Sequence, residues 1–203
     1  PGCAGSVPVD RASACGYGAI FALAPSPAAD GLVWVGTTNG RVQKTADGGA
    51  TWRDVTPGDL ADWTKINTID ASPGDPATAY VAGDRHRLDD FRPLAWKTHD
   101  GGATWTQIGP GIPDDAWVGV VRMDPERAGL LYAGTRRGVF VSTDDGATWR
   151  SLQQNLPVTG INDLLEALSE TSDVEQAFRS VYGKGYRDSQ LAWRAHLRQR
   201  HGS

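Results

Sequence analysis

A turn motif of eight residues occurs three times in this chain and constrains its fold more than any other feature. Each copy fits the pattern [Ser/Thr]-x-Asp-x-Gly-x-Thr-Trp without a mismatch. The carboxylate and the hydroxyl can hydrogen-bond the amides of a tight turn, glycine accepts a positive φ, and tryptophan gives the outgoing strand a large apolar anchor. We therefore predict three hairpin turns of one design, with the structural residues Thr45, Asp47, Gly49 and Trp52, then Thr98, Asp100, Gly102 and Trp105, then Ser142, Asp144, Gly146 and Trp149.

Each motif ends a longer repeat. A short apolar strand begins at Ile20, Ile66 and Val118 and is stopped by a proline, a second strand comes next, and the third and fourth strands flank the motif. The motif aspartates lie 53 and then 44 residues apart, which suits four-stranded propeller blades. We predict an all-β fold over residues 16–163, with three blades and the start of a fourth at Ile161, after an N-terminal segment of residues 1–15.

The motif resembles the Asp-box, or BNR, repeat of β-propellers such as sialidases, sortilin and xyloglucanases. The chain looks most like the sortilin-like BNR propellers of large exported bacterial proteins, through its segments Phe21–Pro27, Asp84–Pro93 and Gly129–Thr135. Because a propeller usually needs four to eight blades, three blades predict part of a ring, and a start at Pro1 rather than Met agrees with a fragment. The resemblance implies an extracellular or periplasmic location, although this chain shows no signal-peptide pattern.

The composition changes to that of helices in residues 164–203. Ser172 and Glu175 have the spacing of a capping box, and a second helix is expected from about residue 188 to residue 200. This tail weakly resembles the C-terminus of gluzincin peptidases of the peptidase MA type, but their zinc motif His-Glu-x-x-His is absent. A natural fusion, a frame or assembly junction and a small lid over the last blade all remain open.

Charge and cysteine content exclude some partners. The chain carries 20 basic and 24 acidic residues, a net charge of −4, with the basic residues scattered, so we expect no nucleic-acid partner. No stretch is long or apolar enough to span a membrane. Cys3 and Cys15 fit either a disulfide or two reduced thiols. The exposed edges of an incomplete propeller predict self-association.

The middle repeat carries an insert of about seven residues, at Asp84–Pro93, that is dense in charge. Long inserts between blade strands often carry function, so we predict that the binding residues of this chain lie here: Arg85, His86, Arg87, Asp89, Asp90 and Arg92. The alternative is a solvated loop held by its own ion pairs. A metal bound by His86, Asp89 and Asp90 is a weaker alternative, and we predict neither a metal nor another cofactor.

The sequence favours a non-catalytic propeller module that binds a protein, peptide or glycan, or that scaffolds a larger exported protein. The alternative is the remnant of a sialidase-like or xyloglucanase-like glycoside hydrolase, which needs two carboxylates facing each other across the channel. Asp62, Asp114 and Asp115 lie in blade connections where such groups could be, but turn formation explains them equally well. No catalytic residue is nominated. Trp34, Trp96 and Trp117 are expected to pack between blades rather than stack on sugars.

Overall fold

A computed structural model describes residues 18–152, which form twelve β-strands in three sheets of four. Blade 1 consists of β1 (Ile20–Pro25), β2 (Val33–Thr37), β3 (Val42–Thr45) and β4 (Arg53–Asp54). Blade 2 consists of β5 (Lys65–Ala71), β6 (Ala79–Arg85), β7 (Asp90–Thr98) and β8 (Thr106–Gln107). Blade 3 consists of β9 (Val118–Met123), β10 (Leu131–Thr135), β11 (Gly138–Ser142) and β12 (Arg150–Ser151).

Each blade is an antiparallel meander whose first strand is the inner one. The inner strands of neighbouring blades contact each other, β1 with β5 and β5 with β9. Three such blades side by side form a partial β-propeller, so the predicted fold class is confirmed. The predictions for Cys3, Cys15, the fourth repeat and the helical tail lie outside the described residues, and the predicted domain limits stay predictions.

Two apolar clusters join the blades. Between blades 1 and 2 lie the buried residues Trp34, Val42, Ile66, Val81 and Trp96. Between blades 2 and 3 lie Tyr80, Ile108, Val118, Leu131 and Trp149. Trp34 and Trp96 are thus part of the packing between blades and are closed to a sugar. Within residues 18–152 no helix could cross a membrane, and the helical turn is a short 3-10 helix at His86–Leu88.

The antiparallel strand order gives the propeller two faces. The turns between second and third strands share one face with the connections between blades, as the ion pair of Arg41 with Asp62 at 3.4 Å shows. We call it the hairpin face, made by residues 38–41, 86–89 and 136–137 and by the connections 55–64 and 108–117. The opposite box face holds the three repeated turns, or box turns, at residues 46–52, 99–105 and 143–149, beside the turns between first and second strands. There the amide of Gly101 donates to the carbonyl of Ala77 at 2.8 Å.

The three box turns contain the same set of hydrogen bonds. In the second turn, Asp100 accepts from the Thr104 amide at 2.9 Å and from the Thr104 hydroxyl at 2.5 Å, and the Gly102 amide donates to Thr98 Oγ1 at 2.9 Å. The hydrogen bonds from Thr104 lower the pKa of Asp100 to about 2. The third turn has Asp145, with φ of 60°, at the position that glycine occupies in the other two. Asp47, Asp100 and Asp144 thus each accept hydrogen bonds within their own box turn.

Candidate functional site

The insert of the middle repeat lies on the hairpin face. It extends the pairing of β6 with β7 as far as Arg85 and Asp90, and the 3-10 helix forms the turn between these strands. Asp89 closes the turn in the left-handed region, at φ of 59°, and its amide donates to the His86 carbonyl at 3.1 Å. The extra residues therefore project from blade 2 beside the connections that enter and leave it.

Two of the predicted binding arginines meet one carboxylate inside the insert. Arg92 donates to Asp90 from Nε at 2.9 Å and from a terminal nitrogen at 2.7 Å, while Arg85 Nε lies 3.4 Å from the same carboxylate. Arg85 also donates to the carbonyl of Asp62 in the preceding connection. The hydrogen bond from Arg92 lowers the pKa of Asp90. For Arg85, Asp90 and Arg92 this geometry favours the alternative of a loop held by its own ion pairs.

His86 links the insert to the next connection. Its Nδ1 lies 2.6 Å from a carboxylate oxygen of Asp84, and its ring stacks on Trp117 with centroids 4.9 Å apart. The ion pair of His86 is thus with Asp84, and not with Asp89 or Asp90. Among residues 18–152 no three His, Cys, Asp or Glu side chains are grouped as metal ligands.

Two exposed arginines on this face lack an ion pair with any residue of the described range: Arg87 in the insert, and Arg136 in the β10–β11 hairpin. The guanidinium of Arg136 lies 5.5 Å from the ring centroid of Phe91. The sequence reading missed Arg136 and the contact of Trp117 with His86. Alignment of the repeats could have found Arg136, because Arg136 and the insert both lie in the turn between the second and third strands of their blades, and these turns share one face.

The carboxylates proposed for glycoside hydrolysis are largely engaged. Asp62 pairs with Arg41 and Asp115 with Arg137, while Asp114 is exposed. Of the three inner strands β1, β5 and β9, only β5 supplies a carboxylate, Asp70.

Asp70 lines a cleft of about 420 Å³ along the inner edges of β1 and β5. It accepts from Arg122 at 3.1 Å and from the Met123 amide at 2.7 Å. Burial raises its pKa although Arg122 opposes this shift. Among the inner strands of the described blades, Asp70 is thus the carboxylate that lines the cleft, and it is paired with Arg122.

Comparisons with known proteins find no family model that matches the chain. The chain is 28% identical over 109 residues to the photosystem II assembly lipoprotein Ycf48 of Synechococcus sp. (strain CC9902), a match that covers 54% of this chain and 31% of that protein. The chain thus spans about a third of the length of that relative.

Two solved structures are similar in fold. YCF48 bound to D1 peptide has a TM-score of 0.50 and 24% identity, covering 66% of this chain and 40% of that one. The GH74 xyloglucanase of Xanthomonas campestris has a TM-score of 0.53 and 21% identity, covering 66% of this chain and 21% of that one. Together with the three four-stranded sheets, these similarities identify the described residues as several consecutive blades of a β-propeller.

Proposed function

We propose that this chain is part of a non-catalytic β-propeller that binds a peptide or protein segment on its hairpin face. The observation that carries the proposal is the meeting of cationic and aromatic side chains from blades 2 and 3 on that face, with Arg87 and Arg136 exposed and outside any ion pair of residues 18–152. Guanidinium groups donate in a planar fork that matches carboxylates, and aromatic rings add contact area.

The predicted binding residues take different parts in this proposal. Arg87 and Arg136 contact acidic groups of the ligand, whereas Asp90 holds Arg85 and Arg92 and so fixes the shape of the insert. His86 and Asp89 complete the turn that presents Arg87. The ligand would lie across the boundary between blades 2 and 3, next to Trp117.

Similar proteins support a binding or scaffolding role and an exported location. One similar propeller was solved with a D1 peptide bound, and the curated relative is a lipoprotein that functions in photosystem II assembly. We also propose that the box turns make this chain a BNR-type, sortilin-like propeller, on the strength of three motif copies with equal hydrogen bonds.

The glycoside hydrolase alternative has less support. A fold similarity to a xyloglucanase extends to many propellers that do not share its chemistry. Asp62 and Asp115 each pair with an arginine, and Asp70 pairs with Arg122. A glycan therefore stays an alternative ligand of the hairpin face, to be distinguished by experiment.

The test is binding of the whole chain to an array of acidic, basic and neutral peptides, with a panel of acidic glycans beside it. For the best acidic peptide, the double variant Arg87→Ala/Arg136→Ala should bind at least about tenfold more weakly, since a hydrogen bond to a charged group contributes about 1.5–3 kcal/mol. Its melting temperature should change little, because neither arginine is held in an ion pair and the contact of Arg136 with Phe91 involves an exposed guanidinium.

The matched control is Arg150→Ala, an exposed arginine of β12 remote from the insert, which should bind like the unchanged chain. Arg85→Ala should instead lower stability, because it removes the contacts with Asp90 and with the Asp62 carbonyl. Equal peptide binding by the double variant would overturn the assignment of Arg87 and Arg136. Selective capture of glycans would replace the peptide as ligand.

A further inference from the structure

The contact between blades 2 and 3 on the box face contains a cluster of charged side chains centred on Asp145. Lys97 of β7 donates to this carboxylate at 2.6 Å, and the Tyr80 hydroxyl of β6 donates to it at 2.7 Å. His99 of the second box turn places its Nε2 at 2.8 Å from the same carboxylate. One carboxylate of blade 3 therefore binds three side chains of blade 2.

Asp145 has no counterpart in the other two box turns, which have Gly48 and Gly101 at its position. Its φ of 60° lies in the left-handed region, which glycine adopts readily and most side chains disfavour. His99 has no counterpart either, because the first and third turns have alanine and threonine at its position. The two residues that are particular to their own turns are thus the two that meet across the blades.

The contact between blades 1 and 2 offers a comparison within the same molecule. Lys44 donates to the Gly101 carbonyl at 2.8 Å, as Lys97 does to the corresponding carbonyl of blade 3 at 2.7 Å. At the positions of the histidine and the aspartate, this contact has Ala46 and Gly101, which do not titrate. The lysine is therefore common to both pairs of blades, whereas the contact of a histidine with a carboxylate is an addition between blades 2 and 3.

The second nitrogen of the His99 ring faces a hydroxyl whose proton is already used. Nδ1 lies 2.8 Å from Thr78 Oγ1, and that hydroxyl donates to Asp75 at 2.6 Å. A hydroxyl has one proton, so Thr78 can only accept from the ring. An ionised carboxylate also only accepts, so the contact with Asp145 requires a proton on Nε2. Both ring nitrogens must then be donors, which is true of the charged imidazolium and of neither neutral tautomer.

The groups around the ring favour a positive charge on it. Titratable side chains face His99 from four elements: Asp75 of the β5–β6 turn, Tyr80 of β6, Lys97 of β7 and Asp145 of the third box turn. Burial raises the pKa of Asp145, but hydrogen bonds from its three partners in blade 2 outweigh burial and lower it. The hydrogen bond from Thr78 lowers the pKa of Asp75. Burial and the hydrogen bond to Asp145 raise the pKa of Tyr80, which stays neutral. Two carboxylates thus face one lysine, and a charged His99 makes the cluster neutral.

We propose that His99 is a pH-sensitive latch between blades 2 and 3. The charged ring donates to Asp145 on one side and to Thr78 on the other, and so joins the β5–β6 turn with the second and third box turns. When one ring proton is lost, either one of these contacts is lost or the Thr78 hydroxyl turns away from Asp75. Imidazole groups change charge between about pH 5 and pH 8. The latch is therefore closed at the acidic end of this range and opens as the pH rises. It lies on the box face and does not depend on the function proposed for the hairpin face.

The experiment is a double-variant cycle in the whole chain, with His99→Gln and Asp145→Asn, measured by urea unfolding at pH 5.5 and at pH 8. Asparagine also tolerates the left-handed conformation, so Asp145→Asn keeps the turn. At pH 5.5 the coupling between the two positions should change the unfolding equilibrium constant about threefold or more, which lies within the range measured for exposed ion pairs. At pH 8 the coupling should be less than about 1.5-fold, because the ring has lost its charge.

The matched control uses the histidine of the opposite face. His86→Gln combined with Asp145→Asn should show no coupling at either pH, because His86 pairs with Asp84 on the hairpin face. A coupling of His99 with Asp145 that is absent at pH 5.5, or equal at the two pH values, would overturn the proposal.

A second measurement needs no variant and so does not depend on whether the variants fold. NMR spectra of the isotope-labelled chain follow the ring nitrogens of His99 and the amides of Thr78 and Asp145 from pH 5 to pH 8. Both ring nitrogens should carry protons at the acidic end, and the two amides should shift with the same midpoint as the ring. Amides that stay in place while the ring loses its proton would overturn the latch.

Discussion

The tryptophans of the first and third box turns should differ sharply in their contribution to stability, although their sequence surroundings are almost the same. Trp149 is 8% exposed, packs in the cluster between blades 2 and 3 and donates to the Ile108 carbonyl. Truncating a buried tryptophan to alanine costs about 3–5 kcal/mol, which includes the cavity that remains. The Trp149→Ala variant should therefore lose about that much free energy of unfolding.

Trp52 provides the matched comparison. It is 45% exposed and belongs to none of the buried apolar clusters of residues 18–152, so Trp52→Ala should cost less than about 1 kcal/mol. Both variants are measured by urea unfolding monitored by circular dichroism, with the slope of the transition as a check that the extent of unfolding is unchanged. Equal losses would refute the view that the tryptophan of a box turn stabilises the propeller through its contacts with the preceding blade rather than through its own turn.

The remaining predictions concern acid, association and catalysis. Hydrogen bonds from Thr104 and Thr148 lower the pKa values of Asp100 and Asp144 from 3.8 to about 2. The contribution of these carboxylates to stability is therefore full above pH 4 and is lost as the pH falls towards 2. The melting temperature of the chain should decrease as the pH is lowered from 4 to 2, and the decrease should be smaller for Asp100→Asn. The chain should associate reversibly as its concentration rises, through the exposed side of blade 1. Leu23→Lys, at a position that is 65% exposed, should reduce the average mass measured by sedimentation. A monomer at every concentration would contradict this prediction. No hydrolysis of sialosides, xyloglucan oligosaccharides or peptides is expected, and turnover that survives purification and is lost in Asp70→Asn would contradict the non-catalytic assignment.

The sequence predicted the blades well because the information for them is local. The apolar strands that begin at Ile20, Ile66 and Val118 reappear as inner strands, with β5 starting one residue earlier at Lys65. The spacing of 53 and 44 residues between the motif aspartates is the length of a four-stranded blade, and it predicted the strand number correctly.

Contacts between repeats could not be predicted in the same way. Asp90 holds both Arg85 and Arg92, and sequence proximity does not show which of several nearby charges will pair. The stack of His86 on Trp117 depends on how blades 2 and 3 are placed, as does the position of Arg136 over Phe91. The candidate site was therefore only half visible: its insert is a local feature, whereas its partners come from the next blade.

The most direct test of the binding site is a map of amide chemical shifts in the isotope-labelled chain as the best acidic peptide is added. Binding at the hairpin face predicts that the shifted amides cluster in residues 85–92, at Trp117 and at Arg136 and Arg137. Amides of the box turns should not move. Shifts confined to the box face, or to the cleft between β1 and β5, would contradict the account.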